Sequence, residues 1–355
     1  MQRLKIGELK NGTAVRISQK SPNEHLLLVG TSGSGKSTRI REITQDCIRK
    51  GETVIAFDLN GCDFSKITEN VNLISAKEDG LNFSFLDMKF VKNGKEMQTN
   101  FISGIVEAFS SIANLGVRQM GALRTAVIFA IEKKDEYEEE MQAISEGLKL
   151  QNDSVASGVH NKLWNILEGN VFRKSKKGMQ KGCINVLSFE GVNPFTQKQC
   201  IELILRLLWK QCRLGEKNMQ KIRIVVDEFQ NLSLRENSIL MEMLRESRKY
   251  DVHLVLATQS VSNFSKEVMA AINQTAVQLY FRQSVSDLKK AAESIEPTNG
   301  GRWTLILKSL AIGESVATGD FSIGEREISQ PIIIKSAYRN EDMPLNVNRR
   351  IEWKD

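Results

Sequence analysis

The sequence predicts an α/β protein with a mainly parallel central sheet and a helical insertion. Three observations carry this reading. Leu26-Leu27-Leu28-Val29 is a short, wholly apolar run, the pattern of a strand buried on both faces of a parallel sheet. It leads into glycine-rich sequence, a helix from about Lys36 to Lys50 stopped by Gly51, and a second apolar run, Val54-Ile55-Ala56-Phe57. That order spells a β-α-β unit, and the same alternation resumes beyond residue 181.

Over residues 1–20, Leu4 and Ile6 precede Val15 and Ile17 around Lys10-Asn11-Gly12-Thr13, so a hairpin turning at Asn-Gly is expected. The first part of the core then covers 21–90. From 91 to 180 the periodicity is helical: Ile102, Ile105, Val106 and Phe109 share a face, and Leu123, Val127, Ala130 and Ile131 repeat it. This block is either an inserted subdomain or a set of helices packed on one sheet face. The second part of the core spans 181–325. Strands are expected at Cys183 to Ser188, Ile222 to Val226, His253 to Ala257 and Ala276 to Phe281. Helices are expected near Thr196 to Leu214, Asn237 to Lys249, Ser265 to Ile272 and Asp287 to Ser294. Leu305 to Leu310, Glu314 to Thr318 and Gln330 to Ile334 read as edge strands or hairpins, with 326–355 a C-terminal extension.

Composition narrows the function classes. With 41% hydrophobic and 26% charged residues, the chain can build a packed core. No run approaches the roughly 18 apolar residues of a membrane span, and the N-terminus has no apolar signal core; a cytoplasmic protein is expected. Five cysteines without Cys-x-x-Cys spacing suit a reducing compartment and give a zinc site no support. Three dispersed histidines give a metal cluster none either. A net charge of +6 is compatible with a nucleic-acid partner without requiring one.

The chemistry sits in two motifs. Gly30-Thr31-Ser32-Gly33-Ser34-Gly35-Lys36-Ser37-Thr38 satisfies the Walker A phosphate-binding pattern in full. Its glycines let backbone N–H groups wrap a phosphate at the positive end of a helix. Lys36 is expected to reach the β- and γ-phosphates of ATP, and the Ser37 hydroxyl to ligate Mg²⁺. Ile222-Arg223-Ile224-Val225-Val226-Asp227-Glu228 is an apolar strand tipped by two acids, the Walker B pattern. Asp227 is expected to hold Mg²⁺ through water, and Glu228 to polarise the attacking water as general base. Glu228 argues for hydrolysis rather than nucleotide binding alone.

Four further positions belong to the same expectation. Gln259, at the tip of the strand after Walker B, is placed to sense the γ-phosphate or to orient water. Arg245 and Arg248 are three apart on one helix face; either one is an arginine finger for a neighbouring subunit's site, or both are solvated charges. Asp58 ends the second strand and either touches the nucleotide or metal site from the side or closes a turn.

Together these residues resemble the HerA/FtsK superfamily, nearest to HerA, VirB4 and the TraG-like conjugation ATPases, over roughly residues 20–325. The resemblance rests on the early Walker A, Asp58-Leu59-Asn60-Gly61, the helical insertion and the late Walker B. It rests also on Arg245-Glu246-Ser247-Arg248-Lys249-Tyr250-Asp251-Val252 and on Ala257-Thr258-Gln259-Ser260. Trp303 to Gly319 resembles the hairpin near the end of that core. The resemblance implies a RecA-like P-loop NTPase fold, a homo-oligomeric, usually hexameric ring, ATP hydrolysis at subunit interfaces, and DNA or another polymer in the pore. HerA carries a β-barrel before its core, where about twenty residues stand here. Neither the membrane helices of coupling proteins nor the winged helix of FtsK is found. A nearly bare motor is expected, with a partner nuclease or effector supplying chemistry on DNA. The basic stretch Arg173 to Lys181 is either a polymer contact or a charged, solvated loop. A VirB4-like secretion ATPase, which need not touch DNA, is the alternative.

Overall fold

A computed structural model describes residues 3–60, 64, 70–86, 95–214 and 220–337. Gly61, Cys62 and most of the expected C-terminal extension lie outside them. The chain opens with strands β1 (Lys5–Glu8), β2 (Ala14–Ile17) and β3 (Leu26–Val29), then helix α1 (Lys36–Arg49) and strands β4 (Thr53–Asp58) and β5 (Val71–Ser75). Helices α2 (Lys95–Ala113), α3 (Val117–Lys133), α4 (Glu140–Lys149) and α5 (Ser154–Leu167) follow. Then come β6 (Ile184–Ser188), α6 (Pro194–Leu214), β7 (Ile222–Val226), α7 (Ile239–Glu246), β8 (Val252–Thr258), α8 (Lys266–Ile272) and β9 (Val277–Tyr280). The described part closes with α9 (Leu288–Ile295), α10 (Gly300–Ser309), β10 (Glu314–Gly319), β11 (Phe321–Ile323), β12 (Arg326–Ile328) and β13 (Ile332–Lys335).

All thirteen strands join one sheet in the order β12-β11-β2-β1-β13-β10-β9-β3-β8-β7-β4-β6-β5. From β9 to β5 every neighbouring pair is parallel. From β9 through β10 to β12 every pair is antiparallel. The mainly parallel sheet expected from the sequence is therefore the half that runs from β9 to β5, and an antiparallel wing doubles its width. Connection length decides the difference. Helices lie between successive strands of most of the parallel half, whereas a tight turn at Gly324 (φ +60°) joins β11 to β12, and such a turn permits only antiparallel pairing. The Asn-Gly hairpin forms as expected, with Glu8 facing Ala14, but β1 also pairs with β13 and β2 with β11.

One expected strand is a helix. Leu305 to Leu310 lies largely in α10, where Trp303 and Leu307 are buried four apart while Leu305 is exposed. A short apolar run does not distinguish strand from helix, and the expected hairpin over Trp303 to Gly319 is instead a helix followed by β10. The edge strand β5 and the three-residue strands β11 and β12 carry too few apolar positions to stand out.

The core is split by the sheet. Leu27 and Val29 of β3 join one hydrophobic cluster and Leu26 and Leu28 the other, as the twofold periodicity of a strand requires. Helix α1 covers the second face through Ile40 and Ile43. The first face holds everything from Phe109 of α2 to Leu123 of α3, Ile144 of α4 and Leu163 of α5, in one cluster with Phe57 and Leu187. The helical block is thus packed onto one side of the sheet and shares its core.

At the edge where the parallel strands begin, Arg223 is fully buried. Its guanidinium donates to Glu24 Oε2 at 2.8 Å and to Glu52 Oε2 at 2.9 Å, and Lys221 Nζ also donates to Glu24 at 2.9 Å. These groups tie the starts of β3, β4 and β7 together. Burial pushes Glu24 up, but Arg223 and Lys221 outweigh it and hold the carboxyl at about 2. Burial and the neighbouring Arg223 press His25 down to about 4 and His253 to about 2.

Acid should therefore unfold the protein from this edge. Below pH 6.5 the unfolded chain protonates both histidines while the folded one keeps them neutral, so stability falls as pH drops. Each histidine is expected to remove about 2 kcal/mol by pH 5. Glu24 adds a second loss below its ordinary value of 4.5. Urea denaturation at pH 7, 5 and 4 checks this, and His253→Phe should flatten the first limb; a profile unchanged from pH 7 to 5 contradicts it.

Candidate nucleotide site

The site lies at the C-terminal tips of three adjacent strands. β3 carries the glycine loop, β7 the two acids, and β8 stands between them. At the spacing of strands in a sheet, one intervening strand leaves about 10 Å between the tips of β3 and β7, room for a metal-bound phosphate and a water. Gln259 follows the tip of β8 and so faces that gap from the middle.

Each neighbour anchors the loop. The N–H of Gly30 donates to Thr258 O at 3.2 Å, at the tip of β8, and the N–H of Thr31 donates to Arg282 O at 3.0 Å, just past β9. Gly313, before β10, donates its N–H to Ser34 O at 3.0 Å. Gly33 (φ +72°) and Gly35 (φ +103°) hold left-handed backbone, open to glycine at little cost. Gly35 caps α1, whose first turn has no acidic residue to offset its positive end. Lys36 is buried, its Nζ donating to the carbonyls of Gly30 at 2.7 Å and Thr31 at 3.2 Å. Ser32 and Gly33 are exposed at the loop crest, with Ser37 and Thr38 half-buried in the first helical turn. The Ser34 hydroxyl is buried with no partner among the described residues. Amide-lined curvature, a buried lysine and an adjacent hydroxyl fit a triphosphate with Mg²⁺.

Across the gap, Asp227 is buried and its Oδ1 accepts the N–H of Glu228 at 2.9 Å. Glu228 has a left-handed backbone, φ +51° and ψ +42°, uncommon for a residue other than glycine. Its Oε1 accepts Gln259 Nε2 at 2.7 Å and its Oε2 accepts Gln230 Nε2. Asp58 ends β4, the strand beyond β7, with its Oδ1 accepting the N–H of Asn60 at 3.2 Å. It flanks the acids rather than the loop, roughly 14 Å from the tip of β3 by strand spacing.

The two arginines lie elsewhere. α7 ends at Glu246, so Arg245 sits in its last turn, donating to Glu236 O at 2.9 Å, while Arg248 falls in a separate 3₁₀ turn. That turn leads into the start of β8, the edge opposite the glycine loop. Both side chains are exposed, and Arg248 lines a cleft of about 540 Å³ with Arg3, Lys50, Glu52 and His253. Arg248 therefore stands at the end of the sheet opposite the nucleotide tips of its own chain.

Sequence reasoning missed three groups. Gln230 carried a signal, standing two residues after the general-base candidate. Arg282 and Gly313 had none, because each meets the loop only through the fold. Arg39, one turn into α1, is fully buried; it donates to Gly313 O at 3.2 Å and pairs with Glu42 at 3.2 Å. Burial lowers its guanidinium to about 10 against the pull of Glu42.

The two left-handed glycines should respond differently to substitution. A Cβ on Gly33 meets nothing, whereas one on Gly35 falls 2.7 Å from the Gly313 backbone. Gly33→Ala should cost about 1–2 kcal/mol of stability through backbone strain alone and still bind ATP. Gly35→Ala should push the loop off Gly313 and weaken binding more than about tenfold. Fluorescent-nucleotide titration and thermal melts separate the two; equal affinities would show that the buttress does not shape the loop.

Residues 4–208, more than half of the chain, match the family described as helicase HerA, central domain. The DNA double-strand break repair helicase HerA of Sulfolobus acidocaldarius is 22% identical, with 99% of this chain aligned to 72% of that protein. Among solved structures, VirB4 of Thermoanaerobacter pseudethanolicus superposes with a TM-score of 0.71 at 16% identity, covering 96% of this chain and 97% of that one. The conjugative coupling protein TrwB, solved with sulphate, gives 0.67 at 14% identity, covering 95% and 88%. TrwB solved with ADP and Mg²⁺ gives 0.60 at 15%, covering 89% and 85%. Among the described residues, no helix is long and apolar enough to cross a membrane. The match over residues 4–208, joined to a complete phosphate loop and an Asp-Glu pair one strand away, makes this chain a member of the helicase HerA central-domain family, a P-loop ATPase of the HerA/VirB4 type.

Proposed function

We propose that this chain is the ATP-hydrolysing subunit of a homo-oligomeric ring, six-membered in the usual family form, that translocates or unwinds DNA for a partner nuclease or effector. The observation that carries the reading is the division of the site. The phosphate loop, Asp227, Glu228 and Gln259 stand at one edge of the sheet, and the exposed Arg248 stands at the other. A head-to-tail ring would bring one subunit's arginine edge to the next subunit's nucleotide edge.

In this reading Lys36 and the loop N–H groups hold the β- and γ-phosphates. Ser37 and Asp227 hold Mg²⁺, which neutralises charge on the phosphate oxygens. Glu228 takes a proton from water as the water oxygen bonds to the γ-phosphorus, and the broken bond leaves its electron pair on ADP. Gln259 orients that water, and Arg248 of a neighbour offsets the developing charge, with Arg245 the fallback.

Support for DNA as the polymer comes from the relative named a DNA double-strand break repair helicase and from the basic stretch. Lys177 pairs with Asp79 and Arg173 donates to Lys77 O, but Lys174, Lys176 and Lys181 are exposed beside the β5 edge. They would contact phosphates without reading sequence.

Lys36→Ala should abolish nucleotide binding or turnover. Glu228→Gln should keep ATP bound while turnover drops by about 10²- to 10⁴-fold. Arg248→Ala should lose turnover but recover part of it in rings mixed with Glu228→Gln subunits. ATPase stimulated by duplex DNA, with stimulation falling steeply as salt rises, supports the motor. ATPase indifferent to DNA favours the secretion-type alternative, and a monomer under all nucleotide and DNA conditions ends the ring.

A further inference from the structure

Both oxygens of Glu228 are held by amides, and the two amides differ in how they are mounted. Gln259 is exposed past the tip of β8. Gln230 is half-buried in the 3₁₀ turn Phe229–Asn231. That turn is fixed from both sides. Phe229 is fully buried against Phe264, ring centroids 5.4 Å apart. The N–H of Asn231 donates to Glu228 O and the N–H of Leu232 to Phe229 O, each at 3.0 Å. The bond to Glu228 is the only side-chain hydrogen bond of Gln230 among the described residues, and its Oε1 is buried without a partner. A buried amide with an unsatisfied acceptor lowers stability, and an apolar side chain of the same shape would not carry that penalty. The amide therefore does not serve folding.

We propose that Gln230 is a positioning residue for ATP hydrolysis, the fixed half of a clamp of which Gln259 is the movable half. This rests on Glu228 being the base. Gln230 holds Oε2 and so sets the plane of the carboxylate; Oε1 is the oxygen that a water can reach once Gln259 releases it and turns its amide to that water. In the state described here Gln259 occupies Oε1, and the base is parked.

The test is Gln230→Met, which keeps length and removes both the donor and the unsatisfied acceptor. Expected are an unchanged or raised Tm, unchanged affinity for a fluorescent ATP analogue, and a kcat lower by ~10- to 100-fold, the scale of a misplaced catalytic group. Gln230→Glu, which also lacks the donor, should lose at least as much and decides the matter if the methionine variant does not fold. Glu228→Gln is measured beside them. Wild-type kcat in Gln230→Met with Glu228→Gln inactive overturns the clamp alone. Wild-type kcat in Glu228→Gln overturns the base, and the clamp with it. A kcat loss matched by equal loss of Tm or nucleotide affinity makes Gln230 structural and also overturns the proposal.

Discussion

A loop that points its backbone N–H groups at a phosphate cannot also use them to close on itself, so its shape must be held from outside. Here three different strands supply the hold. Thr258 and Arg282 fix the start of the loop from either side of β3, and Gly313 fixes its end. Only the first two belong to the parallel half. Gly313 precedes β10, the first strand of the antiparallel wing, and its backbone lies so close to the loop's last glycine that a Cβ on Gly35 would fall 2.7 Å from it. The wing is thereby a mechanical part of the nucleotide site.

Two fully buried arginines serve the two edges of the sheet. Arg39 stands under the loop and joins α1 to β1 and to Gly313 through backbone carbonyls. Arg223 stands at the far edge and joins three strand starts through two carboxylates. Breaking a buried charge pair by removing one partner costs about 3–5 kcal/mol, so both edges are rigid references.

The parallel half was legible because its strands are buried on both faces and read as unbroken apolar runs; Leu26 to Val29 and Val54 to Phe57 needed no further context. The wing was legible only as loose strands. β1 and β13 sit more than 300 residues apart, and nothing local in either says that they pair. α10 was misread because Leu305, Ile306 and Leu307 are contiguous, although only Leu307 is fully buried. At the site, Walker A and Asp227-Glu228 carry their chemistry in their spacing. Arg282 and Gly313 act through main-chain atoms, which any residue possesses, and so leave no sequence signal. Arg248 shows the opposite limit: its residue type suggests a role, but the edge on which it lies is known only from topology.

Local cost is carried at both ends of the parallel strands: at their starts His25 Nε2 and His253 Nδ1 are buried without partners among the described residues and Asp251 holds a left-handed backbone. At the far edge Arg223 meets two carboxylates and a carbonyl, a network with its charges matched. At the nucleotide edge, Glu228 holds an unfavourable backbone angle, and both Ser34 Oγ and Gln230 Oε1 are buried without partners. Left-handed backbone and unmet polar groups each cost about 1–3 kcal/mol. Such costs persist only where the surrounding fold over-determines the geometry. Two of the three site positions, Glu228 and Gln230, lie two residues apart at a single 3₁₀ turn, around one carboxylate. The fold thus holds Glu228 in a single orientation from its backbone and from both carboxylate oxygens.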